Sequence, residues 1–159
     1  KIDNNQFNDN QATCMNEVAK EKLNEISDLI RMKNLRVETS LDEDFILNAN
    51  PDLAGILINN LLSNGINHTE EGGVLRIMSK EGSLSFCNSG SVALPEPEKL
   101  FNRFYKADPS SGSLGLGLAI AKKICEQQKL EISYQFSNNM HCFTLQYFPE
   151  RNSDKAESI

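Results

Sequence analysis

Three carboxamides and one imidazole fall on one face of a predicted helix. Asn50-Pro51 is a good helix start, and the helix is expected to run over residues 51–68. The polar residues on its shared face are Asn60, Asn64, Asn67 and His68. Carboxamides offer donors and acceptors together, so such a stripe can bind phosphate oxygens and complete the shell of a magnesium ion. The alternative is a solvated polar face, because the chain contains 18 asparagines.

A second candidate site lies in SLGLGLAI, Ser113 to Ile120, where a Ser/Gly-rich segment turns into a helix. Gly115 and Gly117 allow close backbone approach, and a helix start presents free N–H groups and partial positive charge. Together these features predict an anion site. The spacing is neither that of a Walker loop nor that of a Rossmann fingerprint. A helix start that is merely loosened by glycine is the alternative.

Two further segments complete the set. In FCNSGSV, a predicted strand ends at Asn88, whose carboxamide can accept from an exocyclic amine and donate to a ring nitrogen, although Asn-Ser-Gly is also ordinary turn chemistry. In KLFNRFYKAD, the aromatic residues Phe101, Phe104 and Tyr105 stand next to Lys106. They could clamp the base of a mobile segment while the cation reaches forward, or form a small satellite core.

The elements that position these residues follow from periodicity and turn signals. We expect a helix over 16–33, two short strands over 35–39 and 44–49 around a turn, and a hairpin of 73–80 with 83–88. A loop over 89–97, a short helix over 98–104, a long helix over 114–129 and strands over 131–136 and 141–148 complete the series. This predicts an α+β fold, a two-layer α/β sandwich with a mixed, mostly antiparallel sheet and helices on one face.

Composition limits the class of protein. The chain has 159 residues, which suits one domain, and a net charge of −6, which argues against a nucleic-acid partner. The four cysteines include no C-x-x-C pair, so we expect small buried hydrophobes in a reducing compartment rather than zinc or disulfides. No apolar run approaches the length of a membrane helix. Since the chain begins with Lys1, we interpret it as a soluble piece of a longer protein.

Taken in order, the four segments resemble the sensor histidine kinases and the wider GHKL ATPases with the Bergerat fold. NNLLSNGINHT is similar to the N box of that family, LSFCNSG to its first glycine box, LFNRFYKAD to its F box and SLGLGLAI to its second glycine box. The resemblance covers about residues 16–148. It implies a linker over 1–12, an ATP-binding domain over 13–149 and a polar tail over 150–159.

The resemblance also implies roles for individual residues. Asn64 would ligate Mg²⁺ on the ATP phosphates with support from Asn60, and Asn60 and Lys106 would be the catalytic residues, with Lys106 near the γ-phosphate. Asn88 would read adenine, and residues 106–114 would form a lid over the nucleotide. The nucleotide-binding set implied by the family is Asn64, Asn67, His68, Asn88, Gly90, Phe104, Ser113, Gly115, Leu116, Gly117 and Leu118.

Four positions depart from the family pattern. Asn88 replaces an Asp, Val92 replaces a Gly, Asn67 replaces a Lys and Ser113 replaces a Gly. Losing a charge-assisted bond to the adenine amine would weaken binding by about 1 kcal/mol, or some fivefold. We therefore expect ATP to bind weakly.

By the same resemblance, the nucleophile would be a histidine on a separate dimerisation domain of a homodimeric membrane sensor, with this domain, a monomer by itself, in the cytoplasm. The downstream partner would be a response regulator receiver domain. A degenerate nucleotide-binding or interaction module without turnover is the alternative. A serine kinase of the anti-sigma type is disfavoured, because Asn60 stands where such proteins carry an acid.

Overall fold

Five strands form the main sheet, in a computed structural model that describes residues 9–80, 82–108 and 115–148. In spatial order they are β2 (Arg36–Ser40), β4 (Val74–Lys80), β5 (Ser83–Ser89), β7 (Met140–Tyr147) and β6 (Leu130–Ser137). The β2–β4 pair is parallel and the other pairs are antiparallel. A separate small sheet pairs β1 (Gln11–Cys14) with β3 (Ile46–Ala49). The mixed, mostly antiparallel sheet predicted from the sequence is confirmed.

Four helices pack on one side of this sheet. They are α1 (Met15–Glu25), α2 (Ser27–Met32), α3 (Pro51–His68) and α4 (Gly117–Gln127), with a 3₁₀ turn at Pro97–Lys99. The long helix α3 lies over β5 with α1 and α4 beside it, and α4 also covers β6. The two-layer architecture is thus the predicted one.

Helix α3 forms the centre of the core. Asn50 caps it as the Asn-Pro start predicts, because its Oδ1 accepts from the backbone N–H groups of Asp52 at 2.9 Å and Leu53 at 3.2 Å. Leu57 and Ile58 of this helix are completely buried in the interior. Burying each such side chain contributes about 1.5–3 kcal/mol, so the apolar face of α3 fixes which side of the helix remains available for polar residues.

A buried asparagine ties the first helix to the rest of the molecule. Asn16, 1% exposed, donates from Nδ2 to the carbonyl oxygens of Leu41 at 3.1 Å and Glu43 at 2.8 Å, and to Ser79 Oγ at 3.0 Å. Its Oδ1 accepts from the N–H of Phe45 at 2.8 Å. The carboxamide therefore takes the place of backbone pairing for the loop between β2 and β3.

The N-terminal half departs from the sequence prediction in three respects. The single helix expected over 16–33 is two helices, because the backbone leaves helical geometry at Ile26 (φ −104°, ψ 15°). The two strands expected over 35–39 and 44–49 belong to different sheets rather than to each other. In addition, Gln11 and Ala12, which we assigned to a linker, pair with Ala49 and Asn48 in β1.

The C-terminal half departs in two other respects. The helix expected over 98–104 is only the 3₁₀ turn at Pro97–Lys99, and Phe104 beyond it has a positive φ of 67° that a helix excludes. The last helix begins at Gly117, three residues later than predicted. The predicted strands that follow it are confirmed as β6 and β7.

The cysteine prediction is wrong for one pair. Cys87 and Cys142 face each other in the β5–β7 register, with Cα atoms 4.1 Å apart, and form a disulfide. Sequence spacing gave no sign of it, because the two residues are 55 positions apart and only strand pairing brings them together. Cys14 and Cys125 are free, and burial raises the pKa of the Cys125 thiol to about 12, so it behaves as the expected buried hydrophobe.

Candidate functional site

A cavity of about 570 Å³ opens between α3, the start of α4 and the inner face of β5 and β7. Of the residues proposed from the sequence, those that line it are Asn60, Asn64, Asn67, His68, Asn88, Lys106, Gly115, Leu116, Gly117 and Leu118. They come from four separate segments of the chain. The volume lies within the range of about 300–1,000 Å³ that small-molecule sites occupy.

The polar face of α3 forms one wall. The Nδ2 of Asn60 donates to the carbonyl oxygen of Ile56 at 2.9 Å, one turn back along the helix. Its oxygen faces the start of α4, since a Cβ placed on Gly117 would lie 3.3 Å from Asn60 Oδ1. Asn64 follows one turn later on the same wall. The amide group of Asn60 is thus held by its own helix while its oxygen remains directed at the neighbouring one.

Close packing at Gly65 brings this wall to the sheet. Gly65 is buried in α3, and a Cβ there would lie 2.9 Å from Leu75 Cδ1 and 4.0 Å from the Cβ of Asn88. A glycine is needed because only its lack of a side chain lets the helix approach β4 and β5 so closely. Gly65 is therefore a position at which a side chain would increase the distance between the asparagine wall and Asn88.

The start of α4 forms the opposite wall. Helix α4 begins at Gly117 without a side-chain cap, so its first N–H groups have no partner within the helix. Gly115 just before it has a φ of 73°, and its carbonyl oxygen accepts from Phe104 N–H at 2.8 Å. A Cβ on Gly115 would lie 2.7 Å from the carbonyl oxygen of Tyr105. Both the conformation and the close approach require glycine, and they join the two segments at the cavity's edge.

The inner end of the cavity is made by a pair of facing strand residues. Asn88 of β5, 3% exposed, stands opposite His141 of β7 in the register, and both line the cavity. His141 Nδ1 lies 2.7 Å from the hydroxyl oxygen of Tyr134, which also accepts from the N–H of Leu94 at 3.4 Å. A Cβ on Gly90 would lie 2.3 Å from His141 Nε2, so that glycine makes room for the imidazole.

Burial lowers the pKa of both histidines of the cavity, which favours their uncharged forms. Partial burial lowers the pKa of His68, the positive charge of Lys33 lowers it further, and the carboxylate of Asp108 opposes them. Lys33 donates to the backbone oxygens of Ile66 and Asn67 at the end of α3. Burial, and then the neighbouring His68, lower the pKa of His141.

Three of the proposed residues are not seen in the cavity wall. Gly90 lies behind the wall, against the imidazole of His141. Phe104 is 66% exposed and points away, with Arg103 over its ring at 5.5 Å. Ser113 lies outside the described residues, as do residues 109–114 of the predicted lid.

Sequence reasoning missed several lining residues. They are Ser63, Leu94, Pro95, Leu100, His141 and Phe143, whereas the other lining residues, Tyr105, Ala107 and Asp108, belong to the predicted aromatic cluster and lid. Ser63 was recoverable, because it stands one turn after Asn60 on the predicted polar face. His141 and Phe143 were not, because their place depends on how β7 pairs with β5.

These walls and this sheet define a class of protein: an ATP-binding domain of the histidine kinase type. The chain matches the family described as "Histidine kinase-, DNA gyrase B-, and HSP90-like ATPase" over residues 49–152, and it belongs to that family. This confirms the resemblance read from the four segments.

Curated relatives point to the sensor kinases within the family. The chain is 30% identical over 112 residues to the sensor protein VanS of Enterococcus faecium, covering 65% of this chain and 29% of that protein. It is 36% identical over 103 residues to the signal transduction histidine-protein kinase BaeS of Escherichia coli, covering 59% of this chain and 22% of that protein. The chain thus spans less than a third of the length of these relatives.

Solved structures of histidine kinases have the same fold as this chain. The catalytic domain of histidine kinase ThkA superposes with a TM-score of 0.74 at 26% identity, covering 90% of this chain and 99% of that one. The structure of ThkA in complex with the response regulator protein TrrA gives a TM-score of 0.70 at 24% identity, covering 89% of this chain and 43% of that one. The fold is that of a histidine kinase catalytic domain.

Proposed function

We propose that this domain binds Mg·ATP in the cavity and presents the γ-phosphate to a histidine on a separate dimerisation domain. The observation that carries the proposal is the convergence of four segments on one cavity of about 570 Å³. Its inner end has a buried carboxamide for the base, and its other end has a helix start with free N–H groups for the phosphates.

The end of the cavity at the start of α4 would position the ATP phosphates and stabilise their negative charge. Phosphoryl transfer depends mainly on holding the reactants and stabilising their charge. The N–H groups at the start of α4 and the ammonium of Lys106 would bind phosphate oxygens, and Lys106 lines the cavity as this role requires. Among the described lining residues Lys106 is the only Lys or Arg, so the protein would rely on backbone donors and a metal ion for the remaining charge.

The carboxamides of α3 fit a magnesium ion bound with the nucleotide. Asn64 and Asn60 would hold it through their oxygens, and the Asn60 oxygen is already turned away from its own helix. No cluster of His, Cys, Asp or Glu in the described part of the chain could hold a metal ion alone, so phosphates and waters would complete the shell. When bound, the ion would neutralise charge on the phosphates.

Asn60 also favours transfer of the γ-phosphoryl group to a protein over hydrolysis of ATP. A water-activating enzyme needs a base at this wall, and a carboxamide does not take a proton near neutral pH. The chain has two histidines, His68 and His141, and both line the cavity itself. The phosphoacceptor histidine would therefore lie on another part of a longer, membrane-bound sensor. A response regulator would then be the partner that receives the phosphoryl group. No helix in the described ranges is long and apolar enough to cross a membrane.

Calorimetry with Mg·ATP tests the proposal. We expect weak binding that requires Mg²⁺, and Asn64→Ala should abolish the magnesium-dependent part because it removes a ligand oxygen. Asn59→Ala is the matched control, since Asn59 is exposed on α3 outside the cavity. The chain incubated alone with labelled ATP should not label itself. Absence of binding at millimolar Mg·ATP would refute the proposal.

A second candidate is a nucleotide-binding module without turnover. The observation that favours it is the neutral character of the site, where Asn67 and Asn88 replace charged residues of the family pattern. Its nucleotide affinity would be similar, so binding does not separate the two candidates. Phosphoryl transfer to an added dimerisation domain of the same longer protein does, because a module without turnover transfers nothing.

A further inference from the structure

The last turn of α3 is capped by a lysine from outside the helix. The final carbonyl groups of a helix have no partner within it. Here the carbonyl oxygen of Gly65 accepts from the hydroxyl of the buried Thr69. The next two carbonyl oxygens, those of Ile66 and Asn67, accept from the ammonium of Lys33, the second at 3.3 Å. A cation at this end also stabilises the partial negative charge of the helix C-terminus.

Backbone hydrogen bonds place Lys33 next to this turn independently of its side chain. Lys33 directly follows α2, and its carbonyl oxygen accepts from the N–H of Gly72, in the loop after α3, at 3.1 Å. Three residues further on, the N–H of Arg36 donates to the carbonyl oxygen of Gly73 at 2.9 Å. Because neither bond uses the lysine side chain, the two segments stay joined when that side chain is replaced. A variant of Lys33 should therefore fold and lose only the contacts of the ammonium.

The turn that Lys33 caps is part of the cavity wall. Asn67 and His68 both line the cavity from this turn. Helix ends fray unless their free backbone groups find partners, so the two side chains are only as well placed as the turn that carries them. The charge of Lys33 also acts on this wall. Burial lowers the pKa of His68 most, the ammonium of Lys33 lowers it further, and the carboxylate of Asp108 raises it.

We propose that Lys33 is a positioning residue of the nucleotide site, which holds Asn67 and His68 in the cavity wall before the nucleotide binds. The inference rests on the proposed function, since it assumes that ATP occupies this cavity. A wall that is already ordered costs the ligand less free energy on binding, so the affinity is higher. Lys33 is not among the described residues that line the cavity, so it acts through α3 and not by touching the nucleotide.

Replacing Lys33 by methionine tests the inference, because methionine keeps an unbranched apolar stem and loses the charged donor. In the chain without nucleotide, amide hydrogen exchange should become faster at Ile66, Asn67 and His68, since the last turn opens more often. In calorimetry, Lys33→Met should bind Mg·ATP about two- to fivefold more weakly than the unaltered chain. Lys33→Arg keeps a charged donor at the end of α3, so it should restore the affinity to within about twofold.

A lysine on α1 supplies the matched control. Lys20 pairs with the exposed Glu17 outside the cavity, so Lys20→Met removes the same charge and should change neither the exchange nor the affinity. The inference is overturned, and the proposed function stands, if Lys33→Met leaves either the exchange or the affinity unchanged. The same holds if Lys33→Arg binds Mg·ATP as weakly as Lys33→Met does. Absence of Mg·ATP binding by the unaltered chain would overturn the proposed function and the inference with it.

Discussion

Replacing Gly65 by alanine separates the effect of helix propensity from that of packing against the sheet. Alanine in place of glycine in a helix interior gains about 1 kcal/mol. At Gly65, however, the new Cβ would lie 2.9 Å from Leu75 Cδ1, and Leu75 is 1% exposed with little room to move. Overpacking of this kind destabilises by about 1–3 kcal/mol. We therefore expect Gly65→Ala to lower the free energy of unfolding by up to about 2 kcal/mol.

The same helix supplies the matched control. A Cβ on Gly55 would lie 3.2 Å from Cε of Lys22, the flexible end of a partly exposed side chain that can move aside. Gly55→Ala should thus keep most of the propensity gain of about 1 kcal/mol. Urea denaturation should place the two variants about 1–3 kcal/mol apart, with Gly65→Ala the less stable.

Nucleotide binding gives an independent readout. If the new Cβ pushes α3 from the sheet, Asn64 moves relative to Asn88, and Mg·ATP should bind Gly65→Ala more weakly than Gly55→Ala. Calorimetry of both variants measures this difference. Equal stabilisation of the two variants, with equal affinities, would show that α3 tolerates a methyl group at Gly65. The account of how the two ends of the cavity are spaced would then be wrong.

Three further outcomes are expected. Asn16→Leu should lower the free energy of unfolding in urea by about 2–4 kcal/mol, because it leaves the buried N–H of Phe45 without an acceptor and takes a donor from the carbonyl oxygen of Leu41. The exposed Asn24→Leu should change it by less than about 0.5 kcal/mol. Reduction of the Cys87–Cys142 bridge should lower it by about 2–4 kcal/mol, and a chain with both cysteines replaced by serine should not respond to reductant. Stability should also fall as the pH drops below about 6.5, because burial lowers the pKa of His68 and His141 in the folded state while the unfolded chain takes up protons there. His141→Phe should make that part of the pH profile less steep and leave the contribution of His68.

Local patterns predicted the elements of this fold well where one physical signal dominated. The Asn50-Pro51 start and the apolar periodicity fixed α3 at its observed bounds, since capping and burial agree there. The predicted short helix after Pro97 did not form beyond one 3₁₀ turn, because Phe104 takes a positive φ to bond Gly115. That bond joins Phe104 to a residue outside the KLFNRFYKAD segment, so the pattern of that segment alone does not contain it.

In the candidate site, too, the features set by local sequence were predictable and those set by strand pairing were not. The asparagine face of α3 and the glycines before α4 were evident from spacing and residue type. His141 and the disulfide were not, because both depend on the pairing of β7 with β5. Knowing that two strands exist does not give their register, and a shift by one residue would exchange the inner and outer faces of β7.

Register is also what connects the disulfide to the base end of the cavity. Cys87 pairs with Cys142 and the next residues, Asn88 and His141, pair with each other. Because successive side chains alternate between faces, the bridge lies on the outer face while the neighbouring pair points into the cavity. The apolar pair Phe86 and Phe143 on the inner face, both 3% exposed, already requires this register. Packing and the covalent bridge therefore specify the same alignment, so reduction should lower stability while leaving Asn88 opposite His141.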